Sequence, residues 1–436
     1  MTATVSHTSR DRRRRRGANA EGESLSAAEA VHVAQRAAAP WPYAELNVAR
    51  LRADGWRPVA IREVVLKVHQ RCNLACDYCY VYTQADQSWR QRPAAMPDEI
   101  WRAAVERIGS HVRRHSAAGI RVVLHGGEPL LFGTDRLARL ADELRAGMPR
   151  GATVEIGLQT NGILLDAPML RVLCQRGISI GVSLDGGPAE HDRRRTTAAG
   201  RGSYAAAEAA LDLLRRPEYR ASYAGILCTV APDTNPVACY EHVRAFEPPM
   251  IDFLLPHANW QHPPLPAGGD ATLYGDWLVA VFDQWYDSAD GTRIRLFESV
   301  IDLLLGGASR SEQVGLSPAC IVVVESDGAI EQVDALKSAY QGACATGLDI
   351  RHHDLDAVFD DPGIVARQLG LGALSRTCLQ CPVHRVCGAG HYAHRYDPAT
   401  GFRNPSVYCQ DLRRLIDHVR DRVVADIRQR TAASVP

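Results

Sequence analysis

The chain has 436 residues, with 50 basic and 50 acidic side chains and 12 cysteines. Hydrophobic residues make up 46% and charged residues 23%, which excludes a mainly disordered chain. The net charge of zero gives no electrostatic basis for binding nucleic acid or a membrane surface, so neither is predicted as a partner.

The N-terminal segment is rich in Arg, Ser, Ala and Gly and contains five consecutive arginines at positions 12–16. No apolar stretch follows them, so the segment is not a secretory signal, and no run is long enough to span a bilayer. We predict that residues 1–58 form a tail and lead-in, partly disordered, with contact to an acidic partner as the alternative for the arginines. The predicted compartment is the cytoplasm, where clustered cysteines indicate metal rather than disulfides.

From about residue 60 the chain alternates short β-branched runs with longer helical patterns. The predicted strands are 64–68, 120–124, 154–158, 178–183, 225–230 and 251–255. The predicted helices are near 97–115, 133–147, 166–176, 203–216, 236–246 and 271–289, with Asp166 and Ser203 as N-caps. Six successive β/α units favour a parallel sheet with helices outside, as a full or partial barrel or a doubly wound sheet. Ligands in such folds bind at the C-terminal ends of the strands.

The pattern changes after about residue 310, where a short apolar run at 321–324 and an Asp-Gly turn precede a cysteine-rich stretch. We therefore predict a core over 59–310 and a smaller metal-stabilised domain over 311–415. An amphipathic pattern at 410–429 predicts a helix, so 416–436 is assigned to a C-terminal helix and tail.

Three cysteines follow the first strand: Cys72, Cys76 and Cys79, in a C-x3-C-x2-C spacing. One loop with this spacing can reach three irons of a [4Fe–4S] cluster and leave the fourth iron free. Zinc or free thiols are the alternatives. With Tyr78 at the aromatic position, the motif resembles the signature of the radical S-adenosylmethionine (SAM) superfamily.

This resemblance implies an α/β fold, a partial (β/α)6 radical SAM barrel. It also implies that the open iron binds the methionine part of SAM, and that the reduced cluster cleaves SAM to a 5′-deoxyadenosyl radical. The electron would come from a cellular donor such as flavodoxin or ferredoxin.

Polar motifs stand at the ends of the next strands. Those that resemble SAM-binding positions of the superfamily are Gly126, Gly127 and Glu128, then Asn161, Ser183 and Arg195, with Leu227 as an adenine-packing residue. The resemblance assigns the methionine amine to the Gly-Gly-Glu motif and the SAM carboxylate to Arg195. Capped turns, and a core leucine at 227, are the alternatives.

A second group of thiols consists of Cys378, Cys381, Cys387 and Cys409. Four cysteines in about 30 residues fit a zinc ribbon. Next to a radical SAM core they resemble the SPASM domain, which implies that they hold an auxiliary [4Fe–4S] cluster.

A second auxiliary cluster is less complete in the sequence. Cys320 matches the first SPASM cysteine, but Val333 and His391 stand where the SPASM pattern has cysteine. Cys344 and His391 are candidate replacements, so the prediction is one auxiliary cluster and leaves open a second with unusual ligands. The remaining three cysteines are predicted to be buried small hydrophobic residues: Cys174, Cys228 and Cys239.

Asp334 follows the second SPASM position directly. In sulfatase-maturing members of the group, the aspartate at this position is a base that deprotonates the substrate, which makes Asp334 the candidate catalytic residue. An exposed turn aspartate is the alternative.

The segments 255–260, 327–334 and 387–409 resemble FxsB-type peptide maturases, and the likeness covers about residues 60–415. It implies a ribosomally synthesised precursor peptide as partner. It further implies removal of a β-hydrogen and cross-linking of that carbon to an aromatic side chain, giving a three-residue cyclophane.

Three other functions are left open by the sequence. Two are enzymatic, a thioether-forming and a sulfatase-maturing type of SPASM enzyme, and the third is a non-catalytic peptide-binding or electron-transfer protein. Tyr80, Tyr82, His257 and Trp260 are candidates to line a peptide channel, with ordinary aromatic packing as the alternative.

Overall fold

The computed structural model describes residues 43, 45–264, 272–288 and 291–433. The arginines at 12–16 and most of the predicted N-terminal tail therefore lie outside the described residues.

Parallel strands form the centre of the molecule. They are β1 (Glu63–His69), β2 (Gly119–Gly126), β3 (Thr153–Thr160), β4 (Ile178–Ser183), β5 (Tyr223–Thr229), β6 (Met250–Leu254) and the short β7 (Arg293–Ile294). Each strand pairs in parallel with the next along the chain, so the six predicted strands are confirmed in position and order.

Alternation along β1 shows how the strands are covered. Val64, Leu66 and Val68 are fully buried on one face. The opposite face carries Val65 and Lys67, and Val65 lines an internal cavity. One face of the strand is therefore apolar and packed, while the other carries a polar group. The groups that can bind a ligand lie on this second face, inside the barrel.

Helices connect the strands and cover the sheet. In the described chain the α-helices are Val48–Ala53, Asp98–Arg114, Thr134–Ala146, Ala167–Gln175, Pro188–Arg194, Tyr204–Leu214, Pro236–Arg244, Leu273–Tyr286, Arg295–Leu304, Pro362–Ala366, Arg376–Leu379, His384–Cys387 and Cys409–Ala433. Short 3-10 helices cover Ser88–Arg90, Pro129–Phe132, Arg220–Ser222, Asp334–Ser338, Leu355–Asp360, Gly370–Ala373 and Tyr392–Arg395. All six predicted core helices are present.

Both predicted N-cap positions are confirmed, but only one of the two side chains makes a capping hydrogen bond. Asp166 accepts a hydrogen bond from Met169 N at 2.8 Å. Ser203 is the N-cap residue of the helix Tyr204–Leu214, as predicted, but its hydroxyl donates to Arg195 O at 2.6 Å and makes no capping hydrogen bond. The carboxylate of Asp192 instead accepts from the backbone of Ser203 and Tyr204, at 2.7 and 2.8 Å.

The cysteine-rich part of the chain extends the same sheet. Strand β8 (Ile321–Val324) pairs in parallel with β1 and continues into the antiparallel strands β9 (Ala329–Glu331) and β10 (Ala345–Asp349). Among the described residues the strand order is linear, from β10 through β9, β8 and β1 to β7. The sheet is therefore an open, partial barrel that the second part of the chain widens at the β1 edge.

The helix Cys409–Ala433 confirms the predicted C-terminal helix and returns to the core. Its residues Leu412, Leu415, Ile416 and Val419 are buried, and it contacts the helix Leu273–Tyr286. No helix in the described ranges is both long and apolar enough to cross a membrane.

Candidate active site

The loop after β1 lies directly against the end of β2, and glycine makes this possible. A Cβ atom on Gly126 would lie 2.1 Å from the carbonyl oxygen of His69. A Cβ on Gly127 would lie 1.8 Å from the hydroxyl of Tyr82 and 2.6 Å from Arg71 O. Because no other residue allows such an approach, the two glycines position the cysteine loop.

Three unpaired cysteines lie on this loop, all of them half-buried. Burial raises the pKa of Cys72 to about 12, and the charges of Cys76 and Cys79 add to the effect. The thiols are thus close enough to oppose each other's ionisation. A positively charged metal centre removes this penalty, so the residues fit an iron–sulfur cluster held by three thiolates.

Glu128 joins the ends of β2 and β3. Its carboxylate is 1% exposed and accepts hydrogen bonds from Leu130 N, Thr160 Oγ1 and Asn161 N at 3.0, 2.7 and 2.9 Å. Burial nevertheless raises the pKa of this carboxyl. The structure therefore shows Glu128 as a clamp between strand ends, and its predicted contact with SAM stays a prediction.

Asn161 links this clamp to the cysteine loop. Its Nδ2 donates to Asn73 Oδ1 at 2.8 Å and lies 3.7 Å from the sulfur of Cys72. Asn161 is buried, so the contact holds the loop rather than facing solvent.

Arg195 is brought to the same loop by the helix Pro188–Arg194. Its Nη1 donates to Tyr78 Oη at 2.6 Å and lies 3.6 Å from Asp185 Oδ2. The Nε of Arg195 is buried and has no hydrogen-bond partner among the described residues. A buried donor without a partner costs about 1–3 kcal/mol, so this nitrogen is suited to an anionic ligand group such as the SAM carboxylate.

Ser183 and Leu227 are paired in register at the ends of β4 and β5. The hydroxyl of Ser183 accepts from Gln159 Nε2 at 3.0 Å. Leu227 is half-buried and lines a small cavity of about 70 Å³ with Gly157 and Gly181. It thus faces the barrel interior, where it is available to a ligand.

A cavity of about 700 Å³ connects the barrel interior with the cysteine-rich part of the chain. Its polar and aromatic lining includes Tyr80, His125, His257, Asp334, His391 and His394. The candidate channel residues Tyr80 and His257 belong to it. Trp260 does not line it, being 45% exposed and donating to Pro405 O at 2.8 Å. Tyr82 does not line the cavity either. Its hydroxyl donates to Gln70 O at 2.9 Å.

Asp334 lies in the wall of this cavity and is 7% exposed, so the alternative of an exposed turn residue is wrong. Its Oδ2 is 2.5 Å from Lys67 Nζ, and its Oδ1 is 3.4 Å from Lys337 Nζ. Burial acts to raise the pKa of Asp334, but Lys337 and Lys67 together hold it well below its usual range. The carboxylate is therefore ionised.

Further charges surround the two lysines. Glu325 is fully buried and lies 2.5 Å from Lys337 Nζ and 2.6 Å from Arg92 Nη1. Glu331 lies 2.5 Å from Arg92 Nη2. We call these six residues, Lys67, Lys337, Asp334, Glu325, Glu331 and Arg92, the buried charge cluster. Sequence reasoning missed it, although a signal was present: Lys67 and Lys337 are the chain's only lysines.

The second group of thiols also comes together in space. Burial raises the pKa of Cys387 to about 12, with contributions from Cys409 and Cys378. Burial likewise raises the pKa of Cys409, with contributions from Cys378 and Cys381. Four thiols within reach of each other's charge fit a four-thiolate metal centre, either an iron–sulfur cluster or zinc.

The remaining candidates for metal binding do not join a thiol group. Cys320 lines the cavity and its sulfur lies 3.3 Å from Pro318 O, whereas Cys344 is buried beside Val333 O at 3.4 Å. Neither thiol contributes to the pKa shift of the other. His391 lies instead beside two other histidines, at ring-centroid distances of 5.1 and 5.5 Å.

Of the three cysteines predicted to be buried small hydrophobic residues, two are buried and one is half-buried. Cys228 and Cys239 are buried in the main core with their sulfurs 3.8 Å apart. Cys174 is half-buried and packs against the same core.

Comparisons with known proteins agree with this geometry. Residues 66–234 match the radical SAM superfamily model. A cysteine-type anaerobic sulfatase-maturating enzyme of Clostridium perfringens is 28% identical over 276 residues, 60% of this chain and 71% of the relative. A serine-type enzyme of Klebsiella aerogenes is 27% identical over 380 residues, 80% of this chain and 85% of the relative.

A solved structure shows the same fold. Native anSMEcpe with bound AdoMet and Cp18Cys peptide superposes with a TM-score of 0.73 at 21% identity, over 85% of this chain and 99% of that one. The predicted fold, a partial radical SAM barrel followed by a SPASM-type C-terminal part, is confirmed. The chain is therefore similar to radical SAM enzymes over residues 66–234, and it is an enzyme whose cofactors are a [4Fe–4S] cluster and S-adenosylmethionine.

Proposed function

We propose that this enzyme modifies a peptide by removing a β-hydrogen from one of its residues. The cavity of about 700 Å³, with the ionised Asp334 in its wall, carries the proposal. This volume is in the range of substrate sites, and the cavity reaches from the strand ends to the cysteine-rich part. Peptide-bound anSMEcpe, which shares the fold, supports a peptide as the substrate class.

Different residues of the chain would bind the two cofactors. The thiols of Cys72, Cys76 and Cys79 would hold the cluster, and Arg195 Nε would bind the carboxylate of SAM. When bound, this pair of cofactors supplies radical chemistry that removes hydrogen from an unactivated carbon. The cavity would hold the reacting carbon in place, which is much of the catalytic work.

Asp334 is proposed to accept a proton from the modified residue. Lys67 and Lys337 lower its pKa and so keep the carboxylate ionised, while its place in the cavity wall puts it within reach of a substrate proton. A carboxylate of this kind stays ready for the reaction because it is not neutralised by ordinary proton donors.

The four thiols of the second group are proposed to hold an auxiliary [4Fe–4S] cluster, whose chemistry is electron transfer. Its place beside the cavity suits removal of a surplus electron from the substrate. A flavodoxin or ferredoxin is the proposed electron donor to the enzyme in the cytoplasm.

The finer proposal for the product is a three-residue cyclophane in a ribosomally synthesised precursor peptide. Two features support it: the resemblance of segments 255–260 and 327–334 to cyclophane-forming maturases, and the departure from the SPASM cysteine pattern at Val333 and His391.

The second candidate product is an aldehyde made by oxidising a cysteine or serine, as the names of the relatives indicate. Identities of 27–28% over 276–380 residues with sulfatase-maturating enzymes favour it. Similarity to radical SAM enzymes over residues 66–234 and to sulfatase-maturating enzymes argues against the non-catalytic alternative. A thioether link is the remaining product of the same initial step.

One experiment tests the shared step and then the product. Anaerobically reconstituted enzyme is given SAM, a reductant and either an aromatic-containing precursor peptide or a sulfatase-derived peptide. We expect 5′-deoxyadenosine from the wild type and none from Cys79→Ala; equal amounts from both would contradict the radical function.

The product then decides between the candidates. A cross-link loses two hydrogens and resists fragmentation between the linked residues, and NMR separates a carbon–carbon link from a thioether. An aldehyde reacts with a hydrazide probe. Modification of neither peptide class, with SAM cleavage intact, would overturn the peptide proposal.

A further inference from the structure

Three histidines meet in the wall of the cavity, away from both groups of thiols. His257 follows β6, while His391 and His394 come from the cysteine-rich part. One ring nitrogen of each lies within 4.8 Å of the others. This cluster plays no part in the function proposed above.

Local structure brings the rings together. His391 is the N-cap of the 3-10 helix Tyr392–Arg395, and His394 lies in that helix three residues later. Side chains at i and i+3 eclipse in a 3-10 helix, so both imidazoles point the same way. The ring centroids of His257 lie 5.5 and 5.8 Å from those of His391 and His394.

Several nitrogens of the cluster are buried without a partner. His394 is 2% exposed, and neither of its ring nitrogens has a hydrogen-bond partner among the described residues. The same holds for Nδ1 of His257. His391 Nδ1 accepts a long hydrogen bond of 3.3 Å from Ala393 N. Since each unsatisfied buried polar group costs about 1–3 kcal/mol, the arrangement points to a bound ligand.

Charges of both signs lie around the cluster. Glu312 Oε2 lies 3.8 Å from His391 Nε2, which places one carboxylate near the rings. Arg395, the nearest cation in the chain sequence, turns its Nη2 to Gly388 O and Gly390 O at 2.6 and 2.7 Å. The charges of Arg395 and Arg367 still act on His391, so a bound cation would depend on direct ligation by the imidazoles.

Burial keeps the imidazoles in their metal-binding form. It lowers the pKa of His257 to about 4 and holds those of His391 and His394 well below the usual range. Neutral imidazole is the form that ligates metals.

We infer that His257, His391 and His394 form a site for a divalent transition-metal ion of the zinc class. Three imidazoles with a further position open to the cavity match the ligand number of catalytic zinc sites. Imidazole also suits copper, iron and nickel. Metal–nitrogen distances of about 2.0–2.1 Å require the rings to close by an ångström or so, within reach of side-chain rotation.

Zinc ion is the probe for the test. Enzyme with its iron–sulfur clusters reconstituted is equilibrated with zinc, desalted, and analysed for zinc and iron. We expect the wild type to retain one zinc per chain, and His394→Phe and His257→Phe to lose it with iron content unchanged. Zinc-edge X-ray absorption should show nitrogen or oxygen neighbours at about 2.0–2.1 Å rather than sulfur at about 2.3 Å.

The matched control is His115→Ala. His115 belongs to the other candidate metal-binding group of the described chain, with His111 and Asp356, and is exposed. This variant should keep its zinc. Loss of zinc only in His115→Ala, a sulfur shell, or no zinc in the wild type would each overturn the inference. Because all readouts are zinc and iron, failure here is separate from failure of the peptide-modifying function.

Discussion

At the scale of single residues, the choice of lysine in the buried charge cluster has a physical reason. Lys67 and Lys337 approach one carboxylate, that of Asp334, from two sides. An ammonium group is compact and fits such a shared position, whereas a planar guanidinium favours two parallel bonds to one partner. All other basic residues of the chain are arginine, and lysine occurs only where two cations approach the same carboxylate.

Asp334→Asn is expected to abolish peptide modification while 5′-deoxyadenosine still forms, because the proton acceptor is lost but the SAM site is intact. Glu325→Gln is the matched control, since Glu325 belongs to the same cluster without lining the cavity. Removing either charge should lower the free energy of unfolding by about 3–5 kcal/mol. If both variants lose product equally at equal folded fraction, Asp334 has no special role in the reaction.

His191 predicts a pH dependence of stability. Burial and Arg195 lower its pKa from 6.5 to about 4. Its Nδ1 accepts from Asp185 N at 3.2 Å, and its Nε2 is 3.0 Å from Ser203 Oγ, so the neutral ring is the one that fits.

Above pH 6.5 this ring is neutral in the folded and unfolded chain alike. As the pH falls from 6.5 to about 4, the unfolded chain binds the proton first, and roughly 3 kcal/mol of stability is lost. Denaturant unfolding of the wild type and His191→Gln at about pH 7.5 and pH 5 measures this. The variant should show a flatter dependence than the wild type; equal slopes in the two proteins would refute the assignment.

The sequence predicted the thiol groups but not the charge cluster, for a reason visible in the residues. Cys72, Cys76 and Cys79 lie on one loop, so their spacing alone carries the chemistry. Lys67 and Asp334 are 267 positions apart, and only the fold brings them together.

At the scale of elements, strands with β-branched runs were predictable and short polar elements were not. The helix Pro188–Arg194 is mostly charged and was missed, although it delivers Arg195. The pairing of β8 with β1 was also not predicted, because a parallel ladder between distant segments leaves no local pattern.

Gly126→Ala is expected to disturb the cysteine loop, because the added Cβ meets the His69 backbone at 2.1 Å. The iron bound by the first cluster should fall, together with SAM cleavage. Gly372→Ala is the control, since its Cβ would meet only Leu369 Cβ, at an ordinary 3.5 Å. Normal iron content in Gly126→Ala would show that the close approach is not needed.

At the scale of the whole molecule, the C-terminal helix connects the second thiol group to the barrel. Cys409 is its first residue, and the helix is held to the helix Leu273–Tyr286 by buried apolar residues and by Arg422 Nη1, 2.5 Å from Asp283. The second group of thiols is therefore part of the same rigid framework as the SAM site.

Two [4Fe–4S] clusters correspond to about eight irons per chain. Cys378→Ala should retain about four irons and still cleave SAM, because the first cluster is separate from the second thiol group. Peptide modification should be lost if the auxiliary cluster takes up the surplus electron. Iron analysis with product quantification checks this, and zinc at residues 378–409 would contradict the auxiliary cluster.

The buried positions of Lys67 and Lys337 have a practical consequence. Both lysines are at most 1% exposed, and the chain has no others. Amine-directed labels, cross-linkers and lysine-specific proteases therefore find no accessible lysine on the native protein. Covalent labelling at either position would report opening of the charge cluster, and so of the substrate cavity, without any introduced probe.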